Sequence, residues 1–326
     1  MKVLVIGAPP LTMSKQCAIA FQREECETKH VNYRFLQGHR FAWTNKLINK
    51  HIISVAEHFR PELVLVVKGE KLLPGTILAI KKTGAFTINW VIDEPTGKYH
   101  PEGKLSNLHE YDHVVCFDNS YLPLLLQLGA PAAEFLPIGV DETVYTEKIP
   151  LAERTYSTDI CFLGTYTPER EKMFTAIAEK NLVIYGPNWK KKIAQHSPLA
   201  SKLSSTTIKG PDACMYFNQK KININQTHSQ AQDGGINLRI PEILATKSFL
   251  LTNNFKGLSA LFELGKELAT YDSPEDFKQK IEYYLAHPEE RDAIATAGYE
   301  RILKEHTFRH RIRKLINIFL TATQKK

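Results

Sequence analysis

The chain lacks the marks of several large protein classes. Its five cysteines, Cys17, Cys26, Cys116, Cys161 and Cys214, are odd in number, widely spaced and without a C-x-x-C pair, so neither a disulfide framework nor a zinc site is suggested. A reducing, cytoplasmic setting is expected, with Cys116 and Cys161 as small core residues inside apolar runs. No run of 18 apolar residues occurs, so no membrane span is expected. The opening apolar run, residues 3–8, is too short for a secretory leader. The turn Gly7-Ala8-Pro9-Pro10 holds only the first glycine of a G-x-G-x-x-G fingerprint, which removes most support for a dehydrogenase. Low-complexity segments and short repeats are absent too.

What is present is ordinary globular material: 326 residues, 43% hydrophobic and 24% charged, enough for two cores and too apolar for extensive disorder. The net charge of +7 suits an anionic ligand, yet 42 basic residues are interspersed with 35 acids, so no nucleic-acid partner is expected. Only Arg309, Arg311, Arg313 and Lys314, with the final lysines, form a basic stretch. Lys190, Lys191 and Lys192 read as a solvated face, with peripheral contact to a membrane surface as the alternative.

Short β-branched runs alternate with longer amphipathic stretches, the pattern of parallel sheets flanked by helices. In the first half the pattern predicts strands at 2–7, 30–34, 62–68, 86–93, 113–118 and 134–138, with helices at 44–59 and 74–82 and a cap at Asn119-Ser120. The alternation breaks after Gly139 and restarts at residue 158. Strands are then expected at 158–164, 182–186, 206–209, 222–225 and 249–252. Helices are expected near 170–180 and from 212, from 237 and from 273. Ser273-Pro274-Glu275-Asp276 carries a cap, a first-turn proline and acids at the positive helix end. The fold class is therefore α/β, with two Rossmann-like halves and C-terminal helices. The expected domains are 1–140, a linker at 141–157, a second domain at 158–305, and a terminal helix at 306–326 packing back on the first. Ligands in open α/β sheets bind beyond the carboxyl ends of the strands, so chemistry is expected in a cleft where both sheets' ends face.

The most informative segment is Gln230-Ala231-Gln232-Asp233-Gly234-Gly235, running into Asn237-Leu238-Arg239-Ile240-Pro241-Glu242. Paired glycines before a helix offer amides to phosphate without a metal. Arg239 and Glu242 share a helix face, where a guanidinium suits a diphosphate and a carboxylate suits ribose hydroxyls. A plain loop with a surface ion pair explains the same residues equally well. On the first half, Trp90, Asp93 and Glu94 end a strand, and Lys68-Gly69-Glu70 end its neighbour. Trp90 can stack on a sugar and Asp93 can accept a hydroxyl proton, against the alternatives of a core tryptophan and a helix cap. His228 adjoins the glycine loop; a polar surface residue is the plainer reading.

From Gly234 to Arg311, the stretches LRIPEILATKSFLLTNN, ELATYDSPEDF and IEYYLAHPEERDAIATAGYERILKEHTFRHR resemble the donor domain of the spore-maturation-protein (CgeB-like) type of GT-B glycosyltransferases. Those proteins are similar in turn to retaining transferases. The resemblance continues upstream through DICFLGTYTPER, LVIYGPNW and YFNQKKININ, and more loosely through PELVLVVKG, INWVIDEP and FLPIGVD. It implies a nucleotide-sugar donor, most readily a UDP-sugar, on the second domain. The acceptor, a glycan, protein or small molecule, is implied on the first, with no cofactor. Carried over by position, it places Gly164 and Arg170 near the donor phosphates, Tyr185 and Gly186 near the base, and Lys220 near the diphosphate. Gly234 and Gly235 become the phosphate loop, opened by Asn237, with Arg239 adding charge and Glu242 holding the ribose.

Two positions depart from the family pattern. Related retaining enzymes often carry a second glutamate eight residues before the ribose-binding one; here that place is Gly234, with Asp233 beside it as a substitute. Lys247 stands where such helices commonly end in glycine. No Asp-x-Asp pair occurs, so the expected reaction is metal-independent, with Arg170, Lys220, Arg239 and a helix dipole stabilising the departing diphosphate. The competing functions are a nucleotide-sugar epimerase on the same fold and a non-catalytic sugar-nucleotide or polyanion binding module.

Overall fold

The computed structural model describes residues 1–8, 13–33, 42–98, 105–206, 208, 210–227 and 234–324. The chain divides into two compact units. The first comprises Met1–Asp141, Asp233–Ile236 and Phe308–Lys326; the second comprises Glu142–Gln232 and Asn237–Thr307.

The first unit is built from β1 (Lys2–Gly7), α1 (Met13–Arg23), β2 (Glu27–Asn32), α2 (Ala42–Phe59), β3 (Leu63–Val67), α3 (Thr76–Lys81), β4 (Phe86–Val91), β5 (His113–Cys116), α4 (Leu122–Gln127) and β6 (Ala133–Phe135). Its six strands lie parallel in the order β2-β1-β3-β4-β5-β6. Every residue of β3 is buried, as expected of a central parallel strand covered on both faces. Gly7 is glycine because α1 starts against it: a Cβ there would fall 2.3 Å from Ser14 Cβ.

The second unit contains β7 (Thr158–Leu163), α5 (Pro168–Thr175), β8 (Leu182–Tyr185), α6 (Trp189–Lys192), α7 (Asp212–Asn218), β9 (Lys220–Asn225), α8 (Arg239–Ala245), β10 (Leu250–Asn253), β11 (Ala269–Tyr271), α9 (Pro274–Ala286) and α10 (Pro288–Glu305). Its parallel sheet has the order β8-β7-β9-β10-β11, so the connections reverse direction between β7 and β9. In doubly wound sheets the crevice beyond the carboxyl ends at that reversal receives ligands. The core beneath it is Ile160, Phe162, Phe174, Trp189, Ile222 and Ile224 with their neighbours.

Several expectations need correction. The second strand begins three residues early, at Glu27. No strand forms around 206–209 among the described residues; instead Leu203 makes one isolated bridge to Ile184. The short strand β11 went unforeseen. The cap before α4 is Asp118, whose Oδ1 accepts from Ser120 N at 2.9 Å. At α9 the expected cap forms: Ser273 Oγ accepts from Asp276 N at 3.0 Å and Asp276 accepts from Asp272 N at 2.9 Å.

Residues 142–157 are no free linker, for they are strapped along the second unit. Cys214 Sγ donates to Val144 O at 3.3 Å, and the amides of Lys148 and Ile149 reach Asn218 Oδ1 at 2.8 and 3.1 Å. Arg154 donates to the carbonyls of Lys247 and Thr246 at 2.8 and 3.1 Å. Lys247 adopts the left-handed backbone, φ 53°, in which glycine is usual after a helix.

The terminal helix α11 (Phe308–Thr323) belongs to the first unit. Arg311 donates to Pro137 O at 2.7 Å and Lys314 to Phe135 O at 3.0 Å. Arg309 and Arg313 grip Glu24, just past α1, at 2.5 and 2.9 Å. Burial pushes the Glu24 carboxyl up, but hydrogen bonds and charge from Arg313 and Arg309 outweigh it and hold the group below its usual 4.5. A carboxyl lowered by folding contributes stability above its unfolded value, and that stability disappears as pH falls through the folded one. Glu24→Gln is therefore expected to cost roughly 1 kcal/mol at neutral pH. The deficit should close in thermal unfolding as the pH drops from about 7 to about 3. A deficit constant across that range would exclude the carboxylate as the clamp.

Candidate functional site

Glycine shapes the carboxyl ends of β7 and β8. Gly186 has φ +133°, and a Cβ there would lie 2.1 Å from Gly164 O, so the two strand ends meet backbone to backbone. The same Gly164 carbonyl accepts from Trp189 Nε1 at 2.8 Å. Tyr185, the last residue of β8, presents its ring edge-on to Tyr216, with centroids 5.4 Å apart. Burial pushes its phenol up to about 12.

Arg170 spans the crevice at the β7/β9 reversal. Its Nη1 donates to Thr165 O at 2.7 Å, just beyond β7, and its Nη2 to Gln226 O at 2.5 Å, just beyond β9. The guanidinium also lies over the Phe162 ring, 5.0 Å from its centroid. Burial lowers its pKa, though an arginine so placed keeps its charge. These two bonds use two of five N–H donors.

The start of α8 is anchored by a chain of amides. Asn237 Oδ1 accepts from Arg239 N at 3.1 Å and Ile240 N at 3.4 Å, while its Nδ2 donates to Asn225 Oδ1 at 2.9 Å. Asn225 in turn donates to Thr252 Oγ1 at 2.9 Å. Asn237 thus caps the helix and ties it to the ends of β9 and β10. Two of the amides expected to meet phosphate are occupied by this cap. Glu242 follows on α8 with its side chain 9% exposed, accepting from Arg239 Nη1 at 2.6 Å. The buried Tyr145 phenol lies near this carboxylate, and burial, first, and the Glu242 charge push its pKa upward. Arg239 lies over the Phe217 ring, 5.6 Å from its centroid.

Other expected residues fall elsewhere. Lys220 is the first residue of β9, at the amino end of the sheet, buried and donating to Ser157 Oγ at 2.6 Å. Burial lowers its pKa, and its position removes it from the crevice at the opposite edge. Gly234 and Gly235 belong with the first unit, where Cβ atoms would come within 2.9 Å of Asn119 N and 2.8 Å of the Phe117 ring. Close packing on the end of β5 requires both glycines, whatever else they do. Asp233 and His228 lie outside the described residues.

On the first unit Trp90 is wholly buried, its indole donating to Leu136 O at 3.1 Å and its ring edge-on to Phe308. It is a core residue and cannot stack on a sugar. Glu94 is likewise spent locally, accepting from Thr96 N at 2.8 Å, Thr96 Oγ1 at 2.5 Å and Lys98 N at 2.7 Å. Burial raises this carboxyl, but those bonds and one from Gly97 bring it below its ordinary value. Asp93 remains accessible, paired with Lys68 Nζ at 2.6 Å at the carboxyl ends of β4 and β3.

Sequence reasoning missed Tyr145, Tyr216 and Asn225. Only Asn225 left a signal, as a polar residue in an otherwise buried strand.

Residues 169–317 match the model of a family described as glycosyl transferase-like. The chain is 22% identical over 281 residues to the spore protein CgeB of Bacillus subtilis (strain 168), covering 82% of this chain and 86% of that protein. Among solved structures it is similar to a glycosyltransferase from Rickettsia africae ESF-5, with TM-score 0.67, 13% identity, and 100% and 99% of the two chains covered. It is also similar to Anabaena HepE in complex with UDP, with TM-score 0.66, 10% identity, and 98% and 100% covered. Among the described residues no helix is long and apolar enough to cross a membrane. Residues 169–317 thus carry the glycosyl transferase-like match, and the two doubly wound units have the fold of the GT-B glycosyltransferases.

Proposed function

We propose that the chain moves a sugar from a UDP-sugar to a hydroxyl acceptor, without a divalent metal and with retention of configuration, in the cytoplasm. The observation that carries this reading is Glu242, a nearly buried carboxylate one turn from the Asn237 anchor at the carboxyl end of β9. A carboxylate in such a place is suited to accept ribose hydroxyls. Half-buried Tyr216, packed edge-to-face with the buried Tyr185 ring, is the aromatic group for the base, and Arg170 holds positive charge at the crevice for the diphosphate. UDP leads among the nucleotides because the similar Anabaena protein is bound to it. The absence of an Asp-x-Asp pair supports transfer without a metal.

In this reaction the bond from the anomeric carbon to the diphosphate oxygen breaks, a bond to the acceptor oxygen forms, and the acceptor proton passes to the departing diphosphate. On the acceptor side, Lys68 and Asp93 of the first unit are the polar pair available to orient the hydroxyl.

Calorimetric titration with UDP, GDP, ADP, CMP and dTDP, each with and without EDTA, tests the proposal. UDP should bind in preference to the others, unaffected by the chelator. Binding abolished by EDTA would overturn metal independence. A folded protein that takes up none of the five would move the weight to a non-catalytic binding module.

A further inference from the structure

The pattern R-x-x-E on α8 invites a division of labour in which Arg239 meets the diphosphate and Glu242 the ribose. The side chains are arranged otherwise. Arg239 turns along its own helix, its Nη1 2.6 Å from Glu242 Oε2 and its guanidinium carbon over the ring of Phe217 of α7, 5.6 Å from the centroid. The Tyr145 phenol lies near the same carboxylate and feels its charge, carried there by the strap of residues 142–157. That strap is fastened on both sides of Tyr145, by Cys214 Sγ on Val144 O and by Asn218 Oδ1 on Lys148 N and Ile149 N. A bonded guanidinium and a nearby phenol, on two separate elements, therefore flank one carboxylate.

We infer that Arg239 and Tyr145 are positioning residues for Glu242, and that together they set the enzyme's preference for a ribose over a deoxyribose nucleotide. The inference rests on the reading of Glu242 as the ribose acceptor. A carboxylate has about four lone-pair sites. Arg239 occupies part of that capacity, the phenol of Tyr145 confines the carboxylate beside it, and what remains is held in one orientation for a vicinal diol. Fixing the acceptor beforehand removes the cost of ordering it when the nucleotide arrives. A free glutamate rotamer would pay that cost and would also satisfy itself on water. A single ribose hydroxyl would then gain less, so discrimination against its absence would shrink.

The two roles for Arg239 separate cleanly by ligand. If its guanidinium acts on phosphate, its loss should weaken UDP far more than UMP. If it acts through Glu242, its loss should weaken UDP and UMP by one common factor, with little effect on 2′-deoxy-UDP.

The experiment is calorimetry of UDP, UMP and 2′-deoxy-UDP on the full chain and on Arg239→Gln, Tyr145→Phe and Glu242→Gln. Arg239→Gln is expected to weaken UDP and UMP equally, by roughly tenfold, and to collapse the ratio of UDP to 2′-deoxy-UDP affinity. Tyr145→Phe, which removes one oxygen and keeps the packing, should reduce the same ratio about threefold. A loss in Arg239→Gln that grows with phosphate number at an unchanged ribose preference would overturn the inference and return the guanidinium to the diphosphate. An unchanged ratio in Tyr145→Phe would overturn the tyrosine's part, and that variant carries the test should Arg239→Gln fail to fold. If Glu242→Gln itself leaves the ratio untouched, the ribose reading fails independently of Arg239.

Discussion

Gly186→Ala is expected to lower the stability of the second unit by on the order of 3 kcal/mol and to abolish nucleotide binding. The new methyl carbon would stand 2.1 Å from Gly164 O and 2.7 Å from Gly164 C, both backbone atoms of the adjacent strand end. No flexible side chain is available to give way, and φ +133° is itself closed to L-residues. Relief requires β7 and β8 to part at their carboxyl ends, where the Trp189 bond to Gly164 and the crevice both lie. Gly265→Ala is the control, since Gly265 also has a positive φ, +79°, but its Cβ would meet open space. That change should cost only about 1 kcal/mol of backbone strain. Thermal unfolding of the pair separates the effects. Equal losses would show that the approach to Gly164 is not what demands glycine.

Arg170→Gln should come close to it in severity. Each carbonyl bonded to the guanidinium accepts a charge-assisted hydrogen bond, worth about 1.5–3 kcal/mol apiece. The shorter side chain cannot reach across from Thr165 to Gln226, so the ends of β7 and β9 lose their tie at the reversal of strand order. Arg170→Lys keeps the charge but can serve only one carbonyl, and it should fall between wild type and Gln in melting temperature. UDP affinity, measured well below the melting point of each variant, should follow the order Arg, Lys, Gln. If lysine restored affinity fully while stability stayed low, charge alone would be the functional contribution. If glutamine bound UDP as tightly as wild type, Arg170 would be a structural pin only.

Much of the architecture was legible in the residues because it follows from local rules. Apolar runs such as LVLVV and ICFL, spaced by amphipathic stretches, bury strands in parallel sheets and force crossover helices. Ser273-Pro274-Glu275-Asp276 specified its own helix start. Errors came where local signals compete or are short. A three-residue strand such as β11 is stabilised by its pairing with β10 more than by its own composition. Asp118, at the strand end, outcompeted Asn119 and Ser120 as the cap because its carboxylate already stood beside the free amide.

The candidate site divides in the same way. The sequence by itself determined the α/β class, the two Rossmann-like halves and the glycosyltransferase resemblance, and it placed Gly164, Arg170, Tyr185, Gly186, Asn237 and Glu242 at strand ends or a helix start, because periodicity, turn residues and caps are properties of neighbouring positions. Only the tertiary structure decided what those side chains do. It sank Trp90 into the core, since parity along a strand buried on both faces cannot tell core from ligand. It put Lys220 at the far edge of its sheet and spent Glu94 on its own turn. It laid Tyr145 beside Glu242 through a strap of residues almost one hundred positions away in sequence, and it closed the Arg239–Glu242 ion pair. The approach of Tyr145 to Glu242 is set by where distant backbone segments pack, and spacing along the chain carries no trace of it, whereas the Arg239–Glu242 pair follows from an i,i+3 spacing already legible in the sequence.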